Sequence, residues 1–184
     1  RINSRFLKVP IKRVNTIFQG RYQLRNVRTR RRLLAHGKKV TKERGAEGGV
    51  SSRNYLSGAD RDYYGLTYWY IKNQGEGRYI FENQETGRYV YADGNEVLQG
   101  DCGLEGGVEE APLCLGSDAN YENRSVWRII DHGDGNYLIR SVVNYRYLSS
   151  LGERPTKIEG YYGPRWVMAD ANYDDRAVWK IIRS

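Results

Sequence analysis

The sequence predicts an all-β protein of twelve strands in three pseudo-threefold repeats, preceded by a basic N-terminal arm, and three observations carry that prediction. The first is a thirteen-residue phrase: DANYENRSVWRII at 118–130, DANYDDRAVWKII at 170–182, and a worn copy, DRDYYGLTYWYIK, at 60–72. In each, an Asp stands nine residues before a Trp (Asp60/Trp69, Asp118/Trp127, Asp170/Trp179), a Tyr six before it and an Ile two after it. The second is a hairpin-like phrase that aligns without gaps: RYQLRNVRTRRRLLAHG at 21–37, RYIFENQETGRYVYADG at 78–94 and NYLIRSVVNYRYLSSLG at 136–152. The third is its period, 57 and then 58 residues between copies. Repetition at fixed spacing marks a supersecondary unit that cannot bury its apolar face alone, so the units must close on one another.

Taken in order, residues 1–19 stand outside the repeats. Leu7, Val9 and Ile11 alternate with Lys8, Pro10 and Lys12. Pro10 opposes a helix there, so an edge strand in a basic arm along the domain is expected. Residues 20–184 form the domain, with repeats at about 20–77, 78–135 and 136–184. Each repeat opens on a short alternating strand with Tyr22/Leu24, Tyr79/Phe81 or Tyr137/Ile139 on one face and Gln23, Ile80 or Leu138 on the other. A turn follows, then a strand centred on Leu33, Val90 or Leu148 that ends at a Gly, which together read as hairpins. A variable stretch holds apolar material for one further strand and a loop long enough to bind something. The Trp phrase supplies the fourth strand, with Trp and Ile on one face.

The hairpin copies ending RYVYADG and RYLSSLG, each followed by a VWxI strand, resemble the β-trefoil, in particular its hisactophilin, fascin and ricin-B-like branches. The resemblance covers about residues 20–184 and implies that Trp69, Trp127 and Trp179 fill the barrel core. Ricin-B-like lectins carry a Gln two residues before that Trp, where this chain has Thr67, Ser125 and Ala177. No sugar-site residue carries over from them, and with only His36 and His132 present the dense histidines of hisactophilin are missing too.

At 184 residues the chain suits one domain, or one with an extension. It holds no apolar run of the ~18 residues a membrane-spanning helix needs. The basic N-terminus lacks the apolar core of a signal peptide, so the chain reads either as cytosolic or as a trimmed mature form. Cys102 and Cys114 share one Gly-rich stretch and are either a local disulfide, which is preferred, or two reduced thiols. A bridge over so short a loop would contribute about 2–3 kcal/mol. With the sequon Asn123-Arg124-Ser125, this points to secretion, with a cytoplasmic location as the alternative.

Charge is polarised. Residues 1–44 carry fifteen Lys and Arg against one acid, Glu43, so that this segment is +14 and the remainder −6 within a net +8. Such asymmetry suits an anionic partner, or docking on the protein's own acidic side. Within it, Arg28, Arg30 and Arg32 replace ordinary turn residues of the first hairpin and, with Lys38 and Lys39, form a candidate site for sulfate or phosphate groups. Arg31 recurs as Arg88 and Arg146 and reads as structural.

The polar loops of the other two units supply candidate carbohydrate sites: Asp118, Asn120 and Tyr121, and Asp170, Asn172 and Tyr173. Carboxylate and amide groups bond sugar hydroxyls, and a Tyr face packs on the ring. Asp and Asn also build turns by bonding nearby backbone N–H groups, and a threefold fold needs the same turn three times. The DxN spacing is similar to the opening of a calcium loop but lacks its central Gly and terminal bidentate Glu, so no metal is expected. No P-loop, dinucleotide fingerprint or nucleophile elbow appears, and no cofactor is expected. The reading is a non-enzymatic, lectin-like glycan-binding protein with a preference for acidic or sulfated glycans. The alternatives are a polyanion-binding, growth-factor-like trefoil and a cytoskeletal, fascin-like one; nucleic acid is not favoured.

Overall fold

The computed structural model describes residues 16–35, 39, 56–92, 115–118, 123–150, 153–155, 167–170 and 174–184. Among them are twelve strands in one sheet: β1 Gly20–Asn26, β2 Arg32–Ala35, β3 Leu56–Ala59, β4 Trp69–Gly75, β5 Arg78–Asn83, β6 Tyr89–Ala92, β7 Leu115–Asp118, β8 Trp127–Gly133, β9 Asn136–Ser141, β10 Tyr147–Ser150, β11 Val167–Asp170 and β12 Val178–Arg183. Three 3-10 turns precede β4, β8 and β12, at Tyr64–Thr67, Asn123–Ser125 and Asp175–Ala177.

The pairings β1–β4, β4–β5, β5–β8, β8–β9, β9–β12 and β12–β1, all antiparallel, close a six-stranded barrel. The hairpins β2–β3, β6–β7 and β10–β11 hang from β1, β5 and β9. Closure removes the unpaired edges that an open sheet would leave.

Period-two alternation decides what fills the barrel. Leu24, Phe81 and Ile139 from the first strands, Leu33, Val90 and Leu148 from the second, and Trp69, Trp127 and Trp179 from the last are each fully buried. Each Trp also ties the barrel to its hairpin. The indole N–H of Trp69 donates to the Leu33 carbonyl at 3.0 Å, that of Trp127 to Val90 at 2.9 Å and that of Trp179 to Leu148 at 2.8 Å. A buried indole needs that partner, and all three find it at the same place. The three Trp residues are therefore structural, as expected.

Hairpin turns repeat with equal fidelity. Asn26 Oδ1 accepts from the backbone N–H of Arg28 (3.1 Å) and Thr29 (3.0 Å), and Asn83 Oδ1 from Glu85 (3.0 Å) and Thr86 (2.9 Å). Ser141 Oγ takes the role in the third unit, accepting from Val143 at 3.3 Å. These turns put residues 30, 87 and 145 in the left-handed region, with φ of 60°, 70° and 61°. Only the second unit spends a glycine there; Arg30 and Tyr145 adopt the conformation at a steric cost of about 1–2 kcal/mol.

Phe18, in the segment read as a basic arm, enters the core. Its ring meets those of Tyr22, Tyr79 and Tyr137 edge-on, at centroid distances of 5.7, 5.9 and 5.0 Å. Those tyrosines are equivalent positions of the three repeats, so one phenylalanine plugs the barrel where the pseudo-threefold brings them together. Gln19 holds the segment down: its side-chain carbonyl accepts from the Asn73 N–H at 2.9 Å, and its backbone carbonyl accepts from Arg183 at 3.3 Å. The alternating residues Leu7 to Ile11 lie outside the described residues.

Replacing Phe18 by Ala removes three edge-to-face contacts and opens a cavity, so a loss of about 3–5 kcal/mol in urea unfolding is expected. A loss below about 1 kcal/mol would show that the three tyrosines close the barrel without it.

Candidate functional site

Strand register lays three equivalent rows of positions across the strands. The first runs Arg21–Tyr70–Glu82–Tyr89–Asp118 through β1, β4, β5, β6 and β7. The second runs Arg78–Arg128–Arg140–Tyr147–Asp170 through β5, β8, β9, β10 and β11. The third links Lys180, Arg25, Arg32 and Ala59 through β12, β1, β2 and β3, with Asn136 of β9 bonded to the Lys180 ammonium at 3.0 Å. Inward positions are near-copies of one another, whereas these outward positions differ in charge.

Two predicted carbohydrate-site residues end such rows: the register sets Asp118 opposite Tyr89 and Asp170 opposite Tyr147. Asn120, Tyr121, Asn172 and Tyr173 lie outside the described residues, as do Lys38, Cys102 and Cys114. The worn first copy is offset by one. Trp spacing aligns Asp60 with Asp118 and Asp170, but Ala59 is the residue opposite Arg32, because the 3-10 turn that follows is four residues long instead of three. The first unit's acids serve their own turn. Tyr63 donates its hydroxyl to Asp60, while Asp62 accepts from Thr67 Oγ1 at 2.5 Å and from the Tyr68 hydroxyl at 2.7 Å. Burial, then the bond to Asp60, raises the Tyr63 pKa, and the bond to Asp62 raises that of Tyr68.

The predicted basic cluster is divided by the fold. Arg28 is ion-paired to Asp175 at 3.3 Å, with both side chains largely exposed, a pairing that contributes at most about 1 kcal/mol. Arg30 and Lys39 are exposed, and Arg30 occupies the left-handed turn position. Arg32 leaves this group and stands beside Arg25, its Nε donating to Gln23 Oε1 at 3.4 Å. Arg31 is buried, donating to the carbonyls of Gly58 and Glu153 at 3.0 Å each, and Arg88 and Arg146 are as buried, so this arginine is structural in every unit.

The second and third units present different surroundings at their Tyr/Asp pairs. In the second, Glu82 accepts from Lys72 at 2.9 Å; this bond raises the lysine pKa, and burial followed by Glu82 raises that of Tyr89. In the third, Arg140 replaces Glu82 and lies 5.7 Å from the ring of Tyr145 and 5.9 Å from that of Tyr147. The arginines of the second row escaped the sequence reading; each is at an outward position of a strand, but only the register sets them side by side.

A separate pocket of about 480 Å³ lies beside Phe18, with Asn73, Glu76 and Asp131 on its rim. Asn73 and Asp131 close the hairpins β4–β5 and β8–β9 by accepting from Gly75 and Gly133, each at 2.8 Å. Their presence is accounted for by these turns. Among the described residues, no group of three or more His, Cys, Asp and Glu could hold a metal ion.

Two measurements check these roles. Asp174 caps the last 3-10 turn, accepting from the Arg176 N–H at 2.8 Å and from its guanidinium, and these bonds lower its pKa. A depressed folded-state pKa stabilises fully above the unfolded value near pH 4 and loses that contribution as pH falls through the folded value. Asp174→Asn should therefore flatten the acid limb of the stability–pH curve, and an unchanged limb would refute the assignment. Arg30→Gly should stabilise by roughly 1 kcal/mol in thermal or urea unfolding, because glycine adopts the left-handed turn without strain; destabilisation would contradict this.

No family model and no curated protein matches the sequence. Solved structures do. The Rhizoctonia solani agglutinin is 17% identical, with a TM-score of 0.62 over 96% of this chain and 100% of that one. SeviL bound to asialo-GM1 saccharide is 11% identical, with a TM-score of 0.56 over 90% and 98%. The BEL beta-trefoil is also 11% identical, with a TM-score of 0.55 over 91% and 94%. With the closed six-stranded barrel, three pendant hairpins and three equivalent Trp–carbonyl bonds, these likenesses establish that the chain has the β-trefoil fold.

Proposed function

We propose that the protein is a non-enzymatic, lectin-like module that binds glycans on the outside of its hairpins. The observation that carries this is the pairing of a tyrosine with an aspartate at the end of two equivalent rows, Tyr89 with Asp118 and Tyr147 with Asp170. An aromatic face for the C–H surface of a sugar, beside a carboxylate acceptor for its hydroxyls, is the chemistry of shallow sugar recognition. The saccharide held by SeviL, on the same fold, supports the reading. Secretion fits it, on the strength of Cys102, Cys114 and the sequon at Asn123.

A second reading, polyanion binding by the first unit, gains support from Lys180, Arg25 and Arg32 on three adjacent strands. Its affinity would fall steeply with salt, as binding through counterion release does.

A glycan array at about 0.15 M and about 0.5 M salt separates the two. Retention of neutral glycans at the higher salt is expected. Tyr89→Ala should weaken that retention about tenfold, the equivalent of roughly 1.4 kcal/mol. Binding confined to charged ligands and abolished by salt would replace this function with the second.

A further inference from the structure

We infer that the third unit takes an anionic sugar, one bearing a sulfate or carboxylate group, which Arg140 and Arg128 hold beside Tyr147, while the equivalent site of the second unit takes a neutral one. The inference rests on the glycan-binding reading and assigns each site its ligand class.

Three guanidinium groups face one another across adjacent strands: Arg78 opposite Arg128, and Arg128 opposite Arg140. Like charges directly opposite in a sheet are destabilising, and this row stacks two such pairs. Its protein partners do little to neutralise it. Arg78 reaches Glu76 at 3.3 Å, a carboxylate that is itself 82% exposed. Arg128 donates to the Glu76 backbone carbonyl at 3.1 Å. Arg140 makes no ion pair with a described residue and lies beside the Tyr145 and Tyr147 rings. The Nε atoms of Arg78 and Arg140 are buried, with no hydrogen-bond partner among the described residues. Guanidinium forks are matched to planar carboxylates and to sulfate or phosphate oxygens, which they bind through two parallel N–H bonds. A ligand anion laid along the row would relieve the repulsion.

The aromatic neighbours select a sugar. Tyr145 is 46% exposed and held at φ 61°, where the second unit has Gly87. A bulky ring at a strained, exposed turn position is unfavourable for folding alone, and strain of this kind is retained where a surface is used. In the second unit the position opposite Tyr89 belongs to Glu82, already bonded to Lys72, and a carboxylate there would repel an anion. The first unit has the cations without the end of the site, since its row closes on Arg32 and Ala59. Only the second row sets a run of arginines against a Tyr/Asp pair, and that combination suits an anionic glycan better than a bare polyanion.

The test is equilibrium binding of the full chain to four probes at about 0.15 M salt: heparin oligosaccharide for sulfate, hyaluronan oligosaccharide for carboxylate, dextran oligosaccharide as a neutral sugar and single-stranded oligo-dT. Arg140→Gln and, independently, Arg128→Gln should weaken binding of the sulfated or the carboxylated probe at least tenfold and flatten its salt dependence, with neutral sugars retained on the array as before. Arg140→Lys should recover part of the affinity, because the charge returns without the fork. Circular dichroism on each variant confirms that the barrel persists. Which anionic probe responds tells sulfate from carboxylate. Retained neutral sugars with no effect of either arginine overturn this inference alone, whereas a protein that binds no glycan of any class overturns the proposed function with it. Oligo-dT bound as tightly as the anionic glycans, or heparin binding lost in Arg25→Gln and not in Arg140→Gln, also overturns it.

Discussion

Within each repeat the barrel strand is tied to its hairpin by one hydrogen bond, from a buried indole N–H to a carbonyl in the middle of the unit's second strand. A Trp in the core delivers a large apolar area but carries one donor that cannot be left unpaired. Satisfying it fixes where the hairpin sits against the barrel wall, and hence which backbone groups of the hairpin remain to pair with the third strand. The outer rows inherit their alignment from this. Tyr89 stands opposite Asp118, and Tyr147 opposite Asp170, because Trp127 and Trp179 hold β6 and β10 in place. The pairing of the outer strands thus depends on a donor at the centre.

The barrel's other end is closed by a different device. Pseudo-threefold symmetry leaves a ring of three tyrosines with no repeat unit to fill its middle, and a residue from outside the repeats, Phe18, does so. Edge-to-face geometry allows one ring to meet three neighbours at similar distance. The symmetry is also broken where the chain enters and leaves: Gly75-Glu76-Gly77 and Gly133-Asp134-Gly135 turn β4 into β5 and β8 into β9 with three left-handed residues apiece, whereas β12 and β1 meet only by strand pairing. The strands that carry Lys180 and Arg25 are therefore neighbours without being joined in sequence.

That distinction marks what could be read from the chain. Strand order, the inward faces and the structural role of the three Trp residues follow from period-two alternation and from a phrase repeated three times, because core packing in a threefold barrel demands the same residue type at equivalent places. Phe18 was not legible, since an aromatic in a basic stretch outside the repeats carries no period. Nor was the offset of the first copy: the spacing from Asp60 to Trp69 matches its siblings, but a 3-10 turn one residue longer shifts the strand beneath it. The candidate site was legible only in part. Asp118 and Asp170 stand where a row ends, whereas Arg28 and Arg32, close in sequence, face different neighbours. Arg78, Arg128 and Arg140 are far apart in the chain, and only register sets them side by side.

The pattern of variation across the units argues for where specificity resides. At inward positions the three copies read Tyr22, Tyr79 and Tyr137, or Trp69, Trp127 and Trp179. At the positions one residue after the Trp they read Tyr70, Arg128 and Lys180, and the centres of the rows read Arg25, Glu82 and Arg140. Packing tolerates no such freedom inside, where a change of volume is felt by all three units at once. Outside, each unit contacts solvent and varies alone, so charge can reverse between equivalent sites at little cost to the fold. A threefold scaffold of this kind separates two demands by the parity of the strand: the inward steps hold the barrel together, and the row positions are free to differ in charge from unit to unit.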